Sequence, residues 1–151
     1  MSEAIKFIHL RNHTEYSLVD GIIRVKPLVK RVAELAMPAI GVTDQSNLFA
    51  TVKFYRAALA AGIKPIIGAD VQIRDSVAQK KPYIITLLAQ NQQGYLALCE
   101  LISEAYLNGQ DKGVAYLTSK KILEKNEGQM IQSKQILCYL LGCRFLRIVF
   151  T

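Results

Sequence analysis

The sequence predicts an α/β protein in which parallel strands alternate with helices, and three observations carry that reading. Short apolar runs recur between segments of helical periodicity, the links between them are short, and polar residues gather at the C-terminal ends of the runs. Sites in this class of fold are built at those strand ends.

Phe7-Ile8-His9-Leu10 reads as a short buried strand, and the polar stretch to Gly21 as the loop that follows it. Pro27 suits a first helical turn. Leu28, Val29, Val32, Leu35 and Ala36 then form an apolar stripe to Met37, and Pro38 stops the helix. Ala39 to Thr43 is the next strand, and Asp44-Gln45-Ser46-Asn47 supplies a loop with a choice of N-caps. A second helix over 48–61 ends at Gly62, which suits a C-terminal cap. Ile63 to Val71 is strand-like, Arg74 to Lys81 is a polar loop, and Tyr83 to Ala89 is a continuous apolar strand. Asn91 caps a third helix that runs through Asn108 and closes at Gly109.

With 151 residues, 51% of them hydrophobic, the chain can bury one substantial core, and its mean hydropathy is +0.19. Disorder is excluded on composition. The net charge of +7 is uneven, since residues 128–151 hold Lys134, Arg144 and Arg147 and no acid. A pI near 9.4 is compatible with a nucleic-acid partner, but charge alone favours a solvated surface with a slight lysine excess. Lys26, Lys30 and Arg31 form the first dense basic cluster.

Cys99, Cys138 and Cys143 make neither an even disulfide framework nor a C-x-x-C pair, which fits a reducing cytosol. The first residues carry charge and lack the apolar core of a signal peptide. Ile136 to Cys143 is apolar for eight residues only, short of the ~20 that span a bilayer, so export and membrane insertion are not expected. Residues 1–128 read as one domain. From Gln129 the pattern lapses, and 129–151 read as a divergent tail that does not continue the same design.

The predicted strand-end loops carry His9, His13, Asp20, Asp44 and Asp70. Imidazoles and carboxylates gathered on one spot would hold Zn, Mn or Fe and lower the pKa of a bound water. Each residue also has a structural reading. His9 can be a core histidine, Ser17 and Asp20 turn residues before Gly21, Asp44 a helix cap, and Asp70 a strand end. Spacing alone leaves both readings open. Phosphate-loop, dinucleotide-binding, nucleophile-elbow and H-E-x-x-H motifs are all absent. Tyr16, Phe54 and Tyr55 lie near basic residues and can stack on bases, although helical spacing favours the core for Phe54.

Three blocks in order resemble a known family: His9-Leu10-Arg11-Asn12-His13-Thr14-Glu15-Tyr16-Ser17-Leu18-Val19-Asp20-Gly21, Thr43-Asp44-Gln45-Ser46-Asn47-Leu48-Phe49, and Gly62-Ile63-Lys64-Pro65-Ile66-Ile67-Gly68-Ala69-Asp70. They are similar to the amino-terminal PHP (polymerase and histidinol phosphatase) domain of bacterial DNA polymerase III alpha subunits. Leu87-Leu88-Ala89 and Gly94-Tyr95 extend the likeness to about Gly128.

The resemblance implies an incomplete, distorted βα barrel, with 1–128 a partial PHP domain and 129–151 a tail of the kind a frameshifted or prematurely ended gene would give. Carried over residue by residue, the family's metal-site positions fall on Arg11, His13, Asp20, Gln45 and Asp70, with Ile84 aligned to a further histidine position. A guanidinium has no lone pair to give and repels a cation, Gln45 is a poor donor, and Ile84 is none. The resemblance therefore implies a vestigial site with no catalytic residue and no bound metal. Arg11 is expected to pair with Asp20 or Asp70 in the metal's place. It further implies the first segment of a DNA-directed DNA polymerase of chromosome replication, cytoplasmic, whose Mg-dependent palm lies outside this stretch. The segment would serve as scaffold and as docking site for the proofreading exonuclease among the replicase subunits, and would meet DNA through the full-length polymerase. The competing reading is a free-standing PHP phosphoesterase using Mn or Zn.

Overall fold

A computed structural model describes residues 7–18, 20–76 and 81–125, together with the backbone of 130–132. Its centre is β2 (Lys64–Ile73), to which β1 (Ala39–Gln45) pairs in parallel from Ala39↔Lys64 to Gln45↔Asp70. Between these strands runs α2 (Thr51–Ala60), the helical crossover that parallel neighbours require. β3 (Tyr83–Ala89) pairs antiparallel to β2, because the link 74–82 is too short to hold a crossover helix. The other strands are the hairpin β4 (Gln110–Asp111) and β5 (Val114–Leu117), and the short β6 (Met130–Gln132). The sheet order is β4-β5-β2-β3-β6, with β1 also on β2. The α/β class stands, as a mixed sheet where the sequence suggested an all-parallel one.

Alternation along the strands decides which face meets what. Ile40 and Val42 of β1 pack with Ile63 under α1 (Val25–Glu34) and α2, where Val25, Val29, Val32, Phe54 and Ala58 are buried. Farther along the same face of β2, Ala69, Val71 and Ile73 meet α3 (Gln92–Asn108), β5 and α4 (Ser119–Lys125) through Leu98, Leu101, Ala115 and Ile122. On the opposite face Ala39, Ile66 and Leu88 are covered by Ile8 and Leu10. That segment lies so close that a Cβ on Gly41 would stand 2.4 Å from the Leu10 carbonyl oxygen, while Gly41 N donates to His9 O at 2.8 Å. Only glycine admits this approach.

The helix ends follow their caps. Gly62, at φ +70°, closes α2 in a Schellman motif, with Ile63 N bonded to Ala58 O and Gly62 N to Leu59 O. α1 ends in the same motif through Met37 N to Val32 O and Ala36 N to Ala33 O, but its left-handed residue is Ala36, at φ +52°. Asn91 Oδ1 accepts from Gly94 N and starts α3 at the expected place. Asp75 accepts from both Ser119 N and Ser119 Oγ at the start of α4. Those hydrogen bonds hold its carboxyl below the usual value of 3.8.

Several expectations need correction. Phe7–Leu10 is not a regular strand: Phe7 is exposed, and the segment shares a single backbone bond with β1. α1 ends at Glu34 and leaves Leu35 exposed, so its buried row is Val25, Val29 and Val32. α2 begins at Thr51 because Asn47 closes a turn onto Phe49 N and does not cap the helix. The hairpin β4–β5 and α4 went unread, since the strands are too short for periodicity to show. The two-residue turn Lys112-Gly113, positive in φ at both positions, was their one sequence signal. β6 interrupts the patternless stretch after Gln129, and the remainder of that tail lies outside the described residues. Within the Arg74–Lys81 loop, Val77–Lys80 also lie outside them, while Arg74 is anchored 2.7 Å from Asp111 and 4.0 Å over the Tyr116 ring. Among the described residues no helix is long and apolar enough to cross a membrane.

Replacing Ala36 by Gly should raise the unfolding free energy by about 0.5–1 kcal/mol, the Cβ penalty at a left-handed cap less glycine's greater unfolded entropy. A higher urea midpoint at unchanged slope checks it. Because the folded Asp75 pKa is lowered, its contribution is complete above 3.8 and is lost as pH falls through the folded value. Protection factors of the α4 amides, referred to intrinsic exchange at each pH, should therefore fall on acidification, and Asp75→Asn should show the lower protection already at neutral pH.

Candidate functional site

In register, Gln45 of β1, Asp70 of β2 and Thr86 of β3 lie side by side across the sheet. Their row faces away from the helices, because Asp44 pairs with Ala69 and shares the helix-covered side with Ile40 and Val42. The two buried acids, each 1% exposed, thus leave opposite faces. Asp44 and Asp70 cannot converge on one ion, contrary to the broadest reading of the sequence.

Asp70 is enclosed by donors. Arg11 Nε and Nη2 reach its Oδ2 at 2.7 and 2.6 Å, His13 Nε2 donates to the same oxygen at 2.8 Å, and Thr86 Oγ1 donates to Oδ1 at 2.6 Å. The expected Arg11–Asp70 pair is therefore present, with both guanidinium nitrogens on one oxygen. Arg11 keeps 57% of its side chain exposed and His13 19%. Four charge-assisted donors satisfy a carboxylate that burial would otherwise penalise by several kcal/mol. Ser46 N donates to the Asp70 carbonyl at 2.8 Å and fixes the backbone on the β1 side.

Asp44 does a different job. Its Oδ1 accepts from Thr14 N at 2.6 Å and Ser17 Oγ at 2.7 Å, and its Oδ2 accepts from Thr14 Oγ1 at 2.7 Å. Ser17 Oγ in turn accepts from Gln45 N, and Asn47 Nδ2 donates to Tyr16 O. Glu15 N bonds Ile23 O, closing the first loop, and a Cβ on Gly21 would overlap the Thr14 carbonyl. Asp44 is thus the anchor of the first loop and caps no helix.

Asp20 is exposed and lines an open depression of about 270 Å³ with Arg11, Asn12, His13, Ile22 and Ile23. Gln45 is half-buried and engages its neighbours through backbone atoms, N to Ser17 Oγ and O from Asn47 Nδ2. Ile84, opposite Gln72, is 53% exposed. His9 is no core residue; its exposed ring meets Phe7 edge-on at 4.6 Å. Phe54 is fully buried, Tyr55 is exposed, and Tyr16 lies under Lys53 at 5.4 Å.

These residues do not fit a cation. His13 and Asp70 already bond each other, and the guanidinium holds the oxygen a metal would use. Among the described residues no group of three or more His, Cys, Asp or Glu side chains is placed to hold a metal ion. Sequence reasoning missed Thr86, Thr14, Ser17 and Asn47 as partners of the site. A Thr in an otherwise apolar strand run was the available signal for Thr86.

A model of the PHP domain matches residues 9–145. The chain is 48% identical over 127 residues to the DNA polymerase III subunit alpha of Pseudomonas fluorescens, covering 84% of this chain and 11% of that protein. It is 43% identical over 133 residues to that of Escherichia coli K12, covering 88% and 11%. The chain thus spans about a ninth of the length of these relatives. A solved amidohydrolase from Chromobacterium violaceum overlaps 64% of this chain and 34% of its own at a TM-score of 0.47 and 19% identity.

Asp70→Asn should destabilise the chain by about 2–4 kcal/mol, since the amide leaves a buried donor unpaired beside Arg11 and His13. Thr86→Val should cost about 1–2 kcal/mol, and Arg11→Ala less than Asp70→Asn because water can reach the Arg11 position. Denaturant unfolding of the three variants checks the order.

Proposed function

Because the chain belongs to the PHP domain family, we propose that it is the amino-terminal PHP segment of a bacterial replicative DNA polymerase III alpha subunit, cytoplasmic and non-catalytic. Its role is to brace the polymerase and to dock the proofreading exonuclease subunit. Template-directed synthesis, with its Mg ions, belongs to the longer protein, which also supplies the main contact with DNA. The observation that carries the non-catalytic reading is the Arg11 guanidinium bonded with His13 to one oxygen of Asp70. On this reading Arg11, His13, Asp20, Gln45 and Asp70 are the remnant of a metal site, and the arginine replaces the ion's charge with one that needs no ligand field.

A remnant of this kind keeps the architectural use of a metal site and gives up its chemistry. A cation in such a site ties loops to strands and activates water. Arg11 performs only the first task, joining the first segment to β2. Gln45 brings no charge and Ile84 no donor, so hydrolysis has neither a metal-activated nucleophile nor a clamp for phosphate.

The purified chain, dialysed against Mn or Zn, should retain less than stoichiometric metal and show no turnover of a generic phosphomonoester. Stoichiometric metal together with turnover abolished by His13→Ala would reverse the assignment to a phosphoesterase. Titration with the exonuclease subunit of the same replicase should give a saturable complex, and its absence with a folded chain would remove the docking role.

A further inference from the structure

The described residues carry four more cations than acids, and the distribution is lopsided. Segment 24–34 and α2 together hold Arg24, Lys26, Lys30, Arg31, Lys53 and Arg56; Arg31 pairs with Glu34 at 3.1 Å, Arg24 and Lys53 share Glu15, and Lys26, Lys30 and Arg56 pair with no acid among the described residues. α3 shows the opposite pattern, its Glu100 and Glu104 being paired with Lys125 and Lys121. Unpaired positive charge therefore gathers on α1 and its neighbour.

The outer face of α1 is a row. Val25, Val29 and Val32 are buried, so Lys26, Lys30 and Arg31 project to solvent over about 8 Å of helix. Glu15 bridges Arg24 at 3.9 Å and Lys53 at 3.3 Å, which extends the row past the start of the helix. Lys26 and Lys30 form no ion pair among the described residues. Local stability does not account for them: like charges one turn apart repel, and Lys26 sits in a first turn that has no acid.

We infer that the α1 face is a sequence-independent contact for the phosphate backbone of duplex DNA. A protein partner would want apolar or aromatic anchors, and every exposed residue within α1 is Lys, Arg, Glu, Pro or Ala. Single strands are held largely by aromatic stacking, which this face cannot offer. A duplex presents the highest density of phosphates to a short straight row of cations, and phosphate contacts position without reading sequence. The contact belongs to this chain's own surface, and it stands whether or not the exonuclease docks.

The full chain should bind a 20-bp DNA duplex at low salt, with log K falling against log salt at a slope of about −3, corresponding to roughly three phosphates. Lys26→Glu with Lys30→Glu should reduce that slope by about two and the affinity at least tenfold, while a Lys112→Glu, Lys120→Glu control changes affinity less than about twofold. Lys26→Gln with Lys30→Gln repeats the test without charge reversal, and thermal midpoints establish that each variant is folded. Absence of duplex binding, an equal loss in the control pair, tighter binding to oligo(dT), or equal binding of poly-glutamate would each overturn the inference.

Discussion

A carboxylate that folding removes from water must find donors in the same place, and Asp70 is where this chain meets that demand. At 1% exposure it draws Arg11 and His13 from the first segment and Thr86 from β3, while its own carbonyl takes Ser46 N beyond β1. Segments far apart in sequence are thereby fixed to one point of β2. The penalty for burying an unpaired carboxylate is several kcal/mol, comparable with much of a domain's net stability, so misplacing any of these segments is expensive.

The second buried acid shows how one strand end serves two purposes. Asp44 and Gln45 are adjacent, so the pleat sends the first toward the helices and the second toward Asp70. Asp44 spends its lone pairs on Thr14 and Ser17 and holds the first loop in register; Arg11 and His13 reach Asp70 from the segment just before it. Gly41 completes the arrangement by letting the Leu10 backbone lie against β1. The depression beside Asp20 is therefore backed by hydrogen bonds on both faces of the sheet.

What the sequence made legible follows from physics that acts locally. Asn91 and Gly109 bound α3 because capping depends on neighbours in the chain, and the Tyr83–Ala89 run is a strand because its residues are β-formers without breaks. Arg11's meeting with Asp70, 59 residues away, was foreseeable only through the family resemblance, which put a cation in a ligand's place and left Asp20 and Asp70 as its possible partners. The direction of β3, the brevity of α1 and the division of Asp44 from Asp70 were not legible in the same way. Each depends on pairing between distant segments, and a one-residue change in register exchanges the faces on which side chains emerge. The short hairpin 110–117 escaped notice because two strands of two and four residues carry too little pattern to stand out.

β2 is served along one edge by two strands in succession. β1 accompanies it as far as Asp70, β5 takes over at Gln72 and Ile73, and Val71 stands between them while β3 occupies the other edge. The site is set at a seam. During synthesis the part of the chain through Gln45 and Asp70 emerges well before Tyr116 and Leu117, so the far end of β2 waits with an open edge beside its charged residue. The handover falls just beyond Asp70, whose partners Arg11, His13, Ser46 and Thr86 all precede β5 in the chain.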